Sequence, residues 1–441
     1  YQFNKSYSIK ISSEGYNEGD LSLSFYASSV STATTVKVPL NPNGITEIPA
    51  IKEDDFLAVY LNVGGKVGSI TIEQLPLYPG FILGDGVDDF AVTEKELNFE
   101  DTYTVYTAFV PFQNNPTRNM ILCGADSKKT FSMQYSSLVY VSFIAGNNYY
   151  INADFVNGLN LFACKRNGNN ICIKNLLTNK VVTGTCGDWV ENAGLYYLWK
   201  NATYASFARA GIAGQIIDNG HFTTDEEDEN ILNWHKKQYP WLFPDQAWTV
   251  TGKTNEDEDR ATIANITGNG NDLVLSNLGF IEGSGYNEEG EYAGYLVTDG
   301  VDDKIASSDF KMGKDFTIVG DWKFINNKKS GTGLVKGSSF YIYNTMTGLD
   351  LYINSGSVKN SLDGIKSINA ACSDGRAYDR NWNEILANTG NVVGSSGTLE
   401  VSSSGGRFDR IAFKNLAIYP RILSKDDCIK AYNYLQTLKA K

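Results

Sequence analysis

The sequence predicts an all-β chain in which two related sandwiches, each closed by one short helix, follow a small N-terminal β region. Three observations lead there. The pentapeptide Asp-Gly-Val-Asp-Asp occurs twice, at Asp85 to Asp89 and at Asp299 to Asp303. Behind each copy, apolar and polar residues alternate with the period of a strand that has one buried face. Near the end of each copy stands a single N-cap signal followed by acids, the start of one helix.

Residues 1–77 come first. Strand-like runs at Ser8 to Ile11, Leu21 to Phe25 and Ser69 to Ile72, broken by Asn41-Pro-Asn-Gly44, read as a small β-sandwich. Tyr78-Pro-Gly80 then leads into the first copy, residues 78–246, and an aromatic linker from Tyr239 to Trp248 leads into the second, 247–441.

The two copies stay in register. The pentapeptides pair at an offset of 214, and the runs Tyr103 to Phe109 and Phe316 to Trp322 pair at 213. Ala163-Cys164 pairs with Ala371-Cys372 at 208, each ahead of a turn dipeptide, Asn167-Gly168 or Asp374-Gly375. Phe207-x-Arg209 pairs with Phe408-x-Arg410 at 201, and Thr224 with Ser424 at 200. A steadily shrinking offset is what a few short deletions between two copies produce. Each helix is expected to be a cap: Thr224 precedes Asp225, Glu226 and Glu227, Ser424 precedes Asp426 and Asp427, and Cys428, Ile429, Tyr432, Leu435 and Leu438 make one apolar stripe on the second.

These landmarks carry a resemblance. A strand ending in Asp-Gly-Val-Asp-Asp, a central hairpin, a late strand into Tyr419-Pro-Arg-Ile-Leu-Ser424 and a short helix resemble the laminin-G-like, concanavalin-A-like jelly roll. Ile263 to Asp272, with its Gly-Asn-Gly-Asn run, is similar to that family's opening stretch; the first copy lacks it. The resemblance covers about residues 78 to 441 and implies two concanavalin-A-like jelly-roll sandwiches. It implies little about activity, because the fold hosts lectins, glucanases, adhesion modules and virion proteins. The tandem layout, the lead-in Thr71 to Pro76 and the Asn-rich composition also resemble tail or fibre proteins of phages of gut Bacteroidales, which implies a virion or other extracellular surface and neighbouring virion or surface proteins as partners.

Composition agrees. Aromatic residues at 12% with 42 Gly and 10 Pro suit turn-rich sandwiches. A net charge of −12 and a pI near 4.8 argue against nucleic acid or an anionic membrane as partner. No run of 18 apolar residues is present, so no membrane insertion is expected. The chain opens at Tyr1 without a signal-type segment, as a trimmed piece of a longer protein does.

The six cysteines show no Cys-x-x-Cys or zinc spacing. Cys164 and Cys172 lie symmetrically about Gly168 as cross-strand neighbours, where a bridge is strained, so free and mostly buried thiols are expected.

Catalytic signatures are sparse. Glucanases of this fold resemble one another in Glu-x-Asp-x-x-Glu on one strand, which sets two carboxylates about 5–5.5 Å apart. Glu18-x-Asp20, Glu53-x-Asp55 and Glu226-x-Asp228 each lack the third acid. The two histidines, His221 and His235, stand near no nucleophile elbow and read as a loop and a surface helix residue. The expectation is a protein without catalytic residues; a hydrolase or lyase with a carboxylate pair drawn from distant strands stays open as one alternative, and a purely architectural spacer as another.

No cofactor is expected. Asp85, Asp88, Asp299 and Asp302 have the chemistry of calcium ligands, but Asp-Gly followed by acids that cap the backbone makes a tight turn, and the turn-building reading is preferred. Asn255 to Arg260 starts like an EF-hand loop but has Arg260 where glycine is needed and Ile266 where the last glutamate stands, so a solvated loop is expected.

Glycan binding needs exposed rings beside hydrogen-bonding side chains. The best stretch is Arg376, Tyr378, Asp379, Arg380 and Trp382, just after Asp374-Gly375, and in the first copy Tyr149 and Tyr150; most of the aromatic residues fill sandwich cores, and a core place for Trp382 stands as the alternative. The sequence therefore points to a surface adhesion module with a carbohydrate or cell-surface glycan as partner.

Overall fold

The computed structural model describes residues 7–26, 36–48, 58–75, 80–85, 90–111, 119–124, 131–145, 149–156, 158–190, 193–198, 209–326, 332–336, 340–344, 348–353, 360–363, 368–386, 395–404 and 407–440. The fold is all-β, in antiparallel sheets, with two α-helices among the described residues: α1 (Asp225–Gln238) and α2 (Lys425–Thr437). By contacts the chain divides into two units. One gathers residues 1–79, 248–263 and 271–437; the other gathers 80–247, 264–270 and 438–441.

The N-terminal region is a sandwich of two three-stranded sheets. One runs Ile45–Ile48, Tyr7–Glu14, Ser69–Gln74, the other Val36–Pro39, Ser22–Tyr26, Ala58–Asn62. Ile9, Ile11, Leu21, Phe25 and Ile48 fill it, as period-two burial demands.

Each sandwich has a helix-bearing sheet with the same strand order. In the first copy it runs Lys180–Thr185, Asn170–Asn175, Asn160–Asn167, Thr102–Pro111, Arg209–Asn219, Ile82–Asp85. In the second it runs Glu384–Leu386, Arg376–Asp379, Ile368–Cys372, Thr317–Asn326, Arg410–Tyr419, Tyr295–Val297, with Gly285–Asn287 added at the edge. The opposing sheets match too: Tyr149–Ala153, Val139–Phe143, Ser132–Tyr135, Asn119–Gly124, Tyr196–Leu198, Ala91–Val92 against Asn360–Asp363, Gly348–Ile353, Phe340–Asn344, Thr332–Lys336, Ser395–Val401, Lys304–Met312. The second copy continues with Leu273–Ser276 and Thr262–Ile263, strands contributed by the opening stretch that the first copy lacks.

Hydrogen bonds fix the equivalence residue by residue. Thr104 Oγ1 donates to His221 O at 3.0 Å and accepts from Thr223 N at 3.1 Å. Thr317 Oγ1 donates to Arg421 O at 2.9 Å and accepts from Leu423 N at 2.9 Å. The helix starts follow suit. Thr224 caps α1 in a full capping box with Glu227, and Ser424 Oγ accepts from Asp427 N at 3.1 Å.

Two expectations shift by one residue. The first hairpin turns on Gly168-Asn169, with Gly168 at φ 57° in the position that a primed turn gives to glycine. Cys164 therefore faces Ile173, and Cys172 faces Lys165, so the two cysteines are not cross-strand neighbours. A one-residue slip moves a side chain to the other face: Cys164 is in the core and Cys172 is half-buried. The second hairpin spans Ser373 to Gly375, one residue longer. Lys165 pairs with Thr104 and Cys372 with Thr317, so Cys372 is the counterpart of Lys165, not of Cys164. The five described cysteines are free; Cys123 lies outside the residues whose side chains are described.

His235 also departs from its reading. It is 2% exposed, with Nδ1 at 2.9 Å from Ile231 O, and burial holds its pKa below the usual imidazole value. Trp234 beside it is exposed.

Candidate functional site: two clefts at a hairpin tip

The stretch singled out for glycan contact forms the hairpin Arg376–Asp379 and Glu384–Leu386 in the second sandwich. Its tip is tightly built. Asp379 Oδ1 accepts from Asn381 N and Asn383 N, both at 2.8 Å, and Asp379 Oδ2 accepts from Asn383 Nδ2 at 3.0 Å. Trp382 has φ 61°, a left-handed conformation that costs a non-glycine residue roughly 1 kcal/mol or more. Its ring holds it there, 5.6 Å and nearly perpendicular to Tyr432 of α2 and 6.2 Å from Tyr378.

This overturns the reading of the two rings. Trp382 is 2% exposed and Tyr378 is fully buried, so neither offers a free face for stacking on a sugar. The hairpin lies over α2, and the packing of that helix consumes both rings. The arginines are also engaged internally. Arg376 Nε donates to Asp374 Oδ2 at 2.7 Å, and Arg380 Nη2 donates to Asp321 Oδ1 at 2.9 Å and to Trp322 O at 3.1 Å. Tyr149 and Tyr150 lie on the strand Tyr149–Ala153, and their side chains fall outside the described residues.

Arg380 belongs to a partly buried charge cluster, in which its own side chain is 30% exposed, Glu47 36% and Asp321 1%. Asp321 also accepts from the Tyr295 hydroxyl at 2.9 Å. Glu47 of the N-terminal region stands 3.9 Å from Arg380 Nη1, and its Oε2 accepts from the Tyr432 hydroxyl at 3.4 Å. Burial pushes Glu47 above the usual carboxylate range, and the Asp321 charge adds to it. Burial acts on Asp321 in the same direction, but Arg380, Lys414 and Lys323 outweigh it and hold Asp321 low.

What the tip exposes is Asn381 and Asn383, and these open onto two clefts in the same unit. The first, about 510 Å³, is lined by the amides of Asn43, Asn381 and Asn383, by Lys10 and Lys425, and by an apolar set that includes Ile11, Ile45 and Ile429. The second, about 580 Å³, shares Asn43, Asn381 and Asn383 and adds Asn17, Glu18 and Asn41. Sequence reasoning found the tip but not its other wall, the turn Asn41 to Gly44. There Asn43 Oδ1 accepts from Ser13 N at 2.9 Å, Asn41 N donates to Thr46 Oγ1 at 2.9 Å, and a Cβ on Gly44 would fall on the Asn41 amide. The signal for it was the Asn-Pro-Asn-Gly run, which marks a turn and says nothing of what the turn faces.

The acidic pentapeptide is a built turn. Asp299 Oδ1 accepts from Val301 N at 2.7 Å, while Asp303 Oδ2 accepts from Asp299 N at 2.7 Å and from Ser284 Oγ at 2.8 Å. Asn277 Nδ2 donates to Asp302 O at 3.1 Å. Carboxylate oxygens of Asp299, Asp302 and Asp303 also come within 4.8 Å of one another, close enough to hold a cation. Burial raises the pKa of Asp303. Asp88 and the side chain of Asp85 lie outside the described residues.

No family model and no curated relative matches the chain. Among solved structures, one of botulinum neurotoxin type C, whose cell entry depends on interaction with two ganglioside molecules, is similar at 10% identity and TM-score 0.30, over 76% of this chain and 88% of that one. The binding domain of paraclostridial mosquitocidal protein 1 matches at 12% and 0.32, over 74% and 86%. A Trypanosoma rangeli sialidase in complex with sialic acid matches at 10% and 0.31, over 95% and 79%. At such scores no argument about function rests on these likenesses. Among the described residues no helix is long and apolar enough to cross a membrane.

Proposed function

We propose that the chain is a non-catalytic carbohydrate-binding module, organised as residues 1–77, 78–246 and 247–441, with its ligand site in the clefts about Asn381 and Asn383. One observation carries this reading: a cleft of about 510 Å³ whose lining combines Asn43, Asn381 and Asn383 with Ile11, Ile45 and Ile429. An amide both donates and accepts, as a sugar hydroxyl does, and the apolar side chains suit the C–H face of the ring. Such a module belongs on an extracellular or virion surface. The duplicated sandwich and the lead-in Thr71 to Pro76 support a tail or fibre protein as the specific setting.

The test is a broad glycan array with wild type and Asn381→Ala, whose amide has no partner among the described residues. Binding to at least one glycan, weakened in the variant, is expected. Release of reducing ends from a bound polysaccharide would overturn the non-catalytic part of the reading. An empty array would overturn the rest.

A further inference from the structure

We infer that the ligand is an extended saccharide chain that runs through both clefts, and not a single terminal sugar. This rests on the carbohydrate reading above and specifies the ligand class.

The two clefts, about 510 and 580 Å³, adjoin one ridge, because Asn43, Asn381 and Asn383 line both. Each volume alone falls within the roughly 300–1,000 Å³ of a complete small-molecule site. A site for one sugar needs one of them; a site for a chain needs a series of subsites with a common ridge. The ridge is also rigid. Asp379 ties down the backbone N–H of Asn381 and Asn383 and the side-chain amide of Asn383, and Ser13 ties down Asn43, so little freedom is lost when a chain lies across it. The far cleft repeats the chemistry of the near one. Asn17 and Asn41 supply further amides, and the exposed Pro39 supplies apolar surface. A repeating ligand fits a repeating lining.

The two clefts also have separable variants. Asn17 and Glu18 line only the far cleft and Lys425 lines only the near one. All three side chains are exposed. The backbone bonds of Asn17, from Asn17 N to Asp20 Oδ2 and from Asp20 N to Asn17 O, survive truncation.

The experiment uses the full chain on an array printed with cello-, xylo-, galacturono- and chondroitin oligosaccharides from disaccharide to octasaccharide, followed by titration calorimetry on the best series. Affinity should rise at least tenfold, the equivalent of about 1.4 kcal/mol, between the disaccharide and the hexasaccharide and then level off. The double variant Asn17→Ala/Glu18→Ala should remove that rise and leave disaccharide binding unchanged, while Lys425→Ala should weaken both lengths. Affinity independent of length, or a far-cleft variant that binds the hexasaccharide as wild type does, overturns the chain inference and leaves the carbohydrate reading standing. Binding of no series by a folded protein overturns both.

Discussion

Asp228 is the best place to test how the helices are held. It is 1% exposed and stands on the buried face of α1. Its Oδ2 accepts from Lys165 Nζ at 2.7 Å and Lys174 Nζ at 3.1 Å, and its Oδ1 accepts from the Tyr106 hydroxyl at 2.8 Å and Thr223 Oγ1 at 3.2 Å. Lys165 is 4% exposed by side chain and also donates to Thr223 O at 2.7 Å. Asp228→Ala therefore strands a buried ammonium, a change that costs about 3–5 kcal/mol. Removing both charges should cost far less. A buried pair replaced by apolar groups of similar volume is near neutral, and the second copy shows an uncharged joint: Cys372 and Cys428, both free thiols, occupy the positions of Lys165 and Asp228 within hydrogen-bond reach of each other. Lys165→Met/Asp228→Leu should accordingly recover most of the loss. Because a chain of several domains has no single unfolding free energy, the readout is native-state hydrogen exchange of the α1 amides, with α2 as internal control. At about 1.4 kcal/mol per decade, the single variant should exchange roughly two to three orders of magnitude faster in α1. A change below tenfold, or a double variant no better than the single one, refutes the argument.

Trp382→Ala should cost about 3–5 kcal/mol, as large-to-small changes in a core do, and lower the melting temperature by well over ~2 °C; a smaller shift would return Trp382 to the surface. Calcium at millimolar concentration against EDTA should leave the melting temperature unchanged if Asp299 and Asp302 serve the turn, and a calcium-dependent rise would make them ligands. Asp321, held below its ordinary value of 3.8, contributes stability that is present above that pH and is lost as pH falls through its lowered folded pKa. Exchange protection around Tyr295 and Arg380 should therefore drop in the acid range in wild type. The drop should be shallower in Asp321→Asn, and parallel curves would contradict it.

The fold was legible because its signals are local. The second pentapeptide, the hairpin glycines and the caps at Thr224 and Ser424 each act within a few residues, and those are features the structure keeps. Registers were legible only to within one residue, because the lengths of the Gly168-Asn169 and Ser373 to Gly375 turns decide which face Cys164 and Cys372 take. The site was half legible. Composition around Trp382 marks a polar tip with an aromatic ring, but whether a ring faces solvent depends on what packs over it. Tyr432 is 50 residues further on, and Glu47, beside the same hairpin, belongs to the N-terminal region. The clefts need Asn43 and Asn381 side by side, a long-range juxtaposition that no spacing encodes.

The two copies share the scaffold of the tip and differ in what it carries. In the first sandwich Asn175 Oδ1 accepts from Leu177 N at 3.0 Å and Thr178 N at 3.4 Å, the same kind of side-chain cap that Asp379 provides in the second. Between the equivalent strands, however, stand Leu176, Leu177, Thr178 and Asn179 in one copy and Arg380, Asn381, Trp382 and Asn383 in the other. The capped turn is thus a property of the fold, inherited by both, as is an exposed asparagine at its end, Asn179 or Asn383, while Asn381, the buried Trp382 and the arginine that reaches Asp321 are particular to the second. The helix joint shows the same division, with an ion pair in one copy and two thiols in the other. Features common to both sandwiches therefore explain why the chain folds. Features confined to one are where a function distinct from folding has room to reside, and the exposed Asn381 beside the buried Trp382 is such a feature.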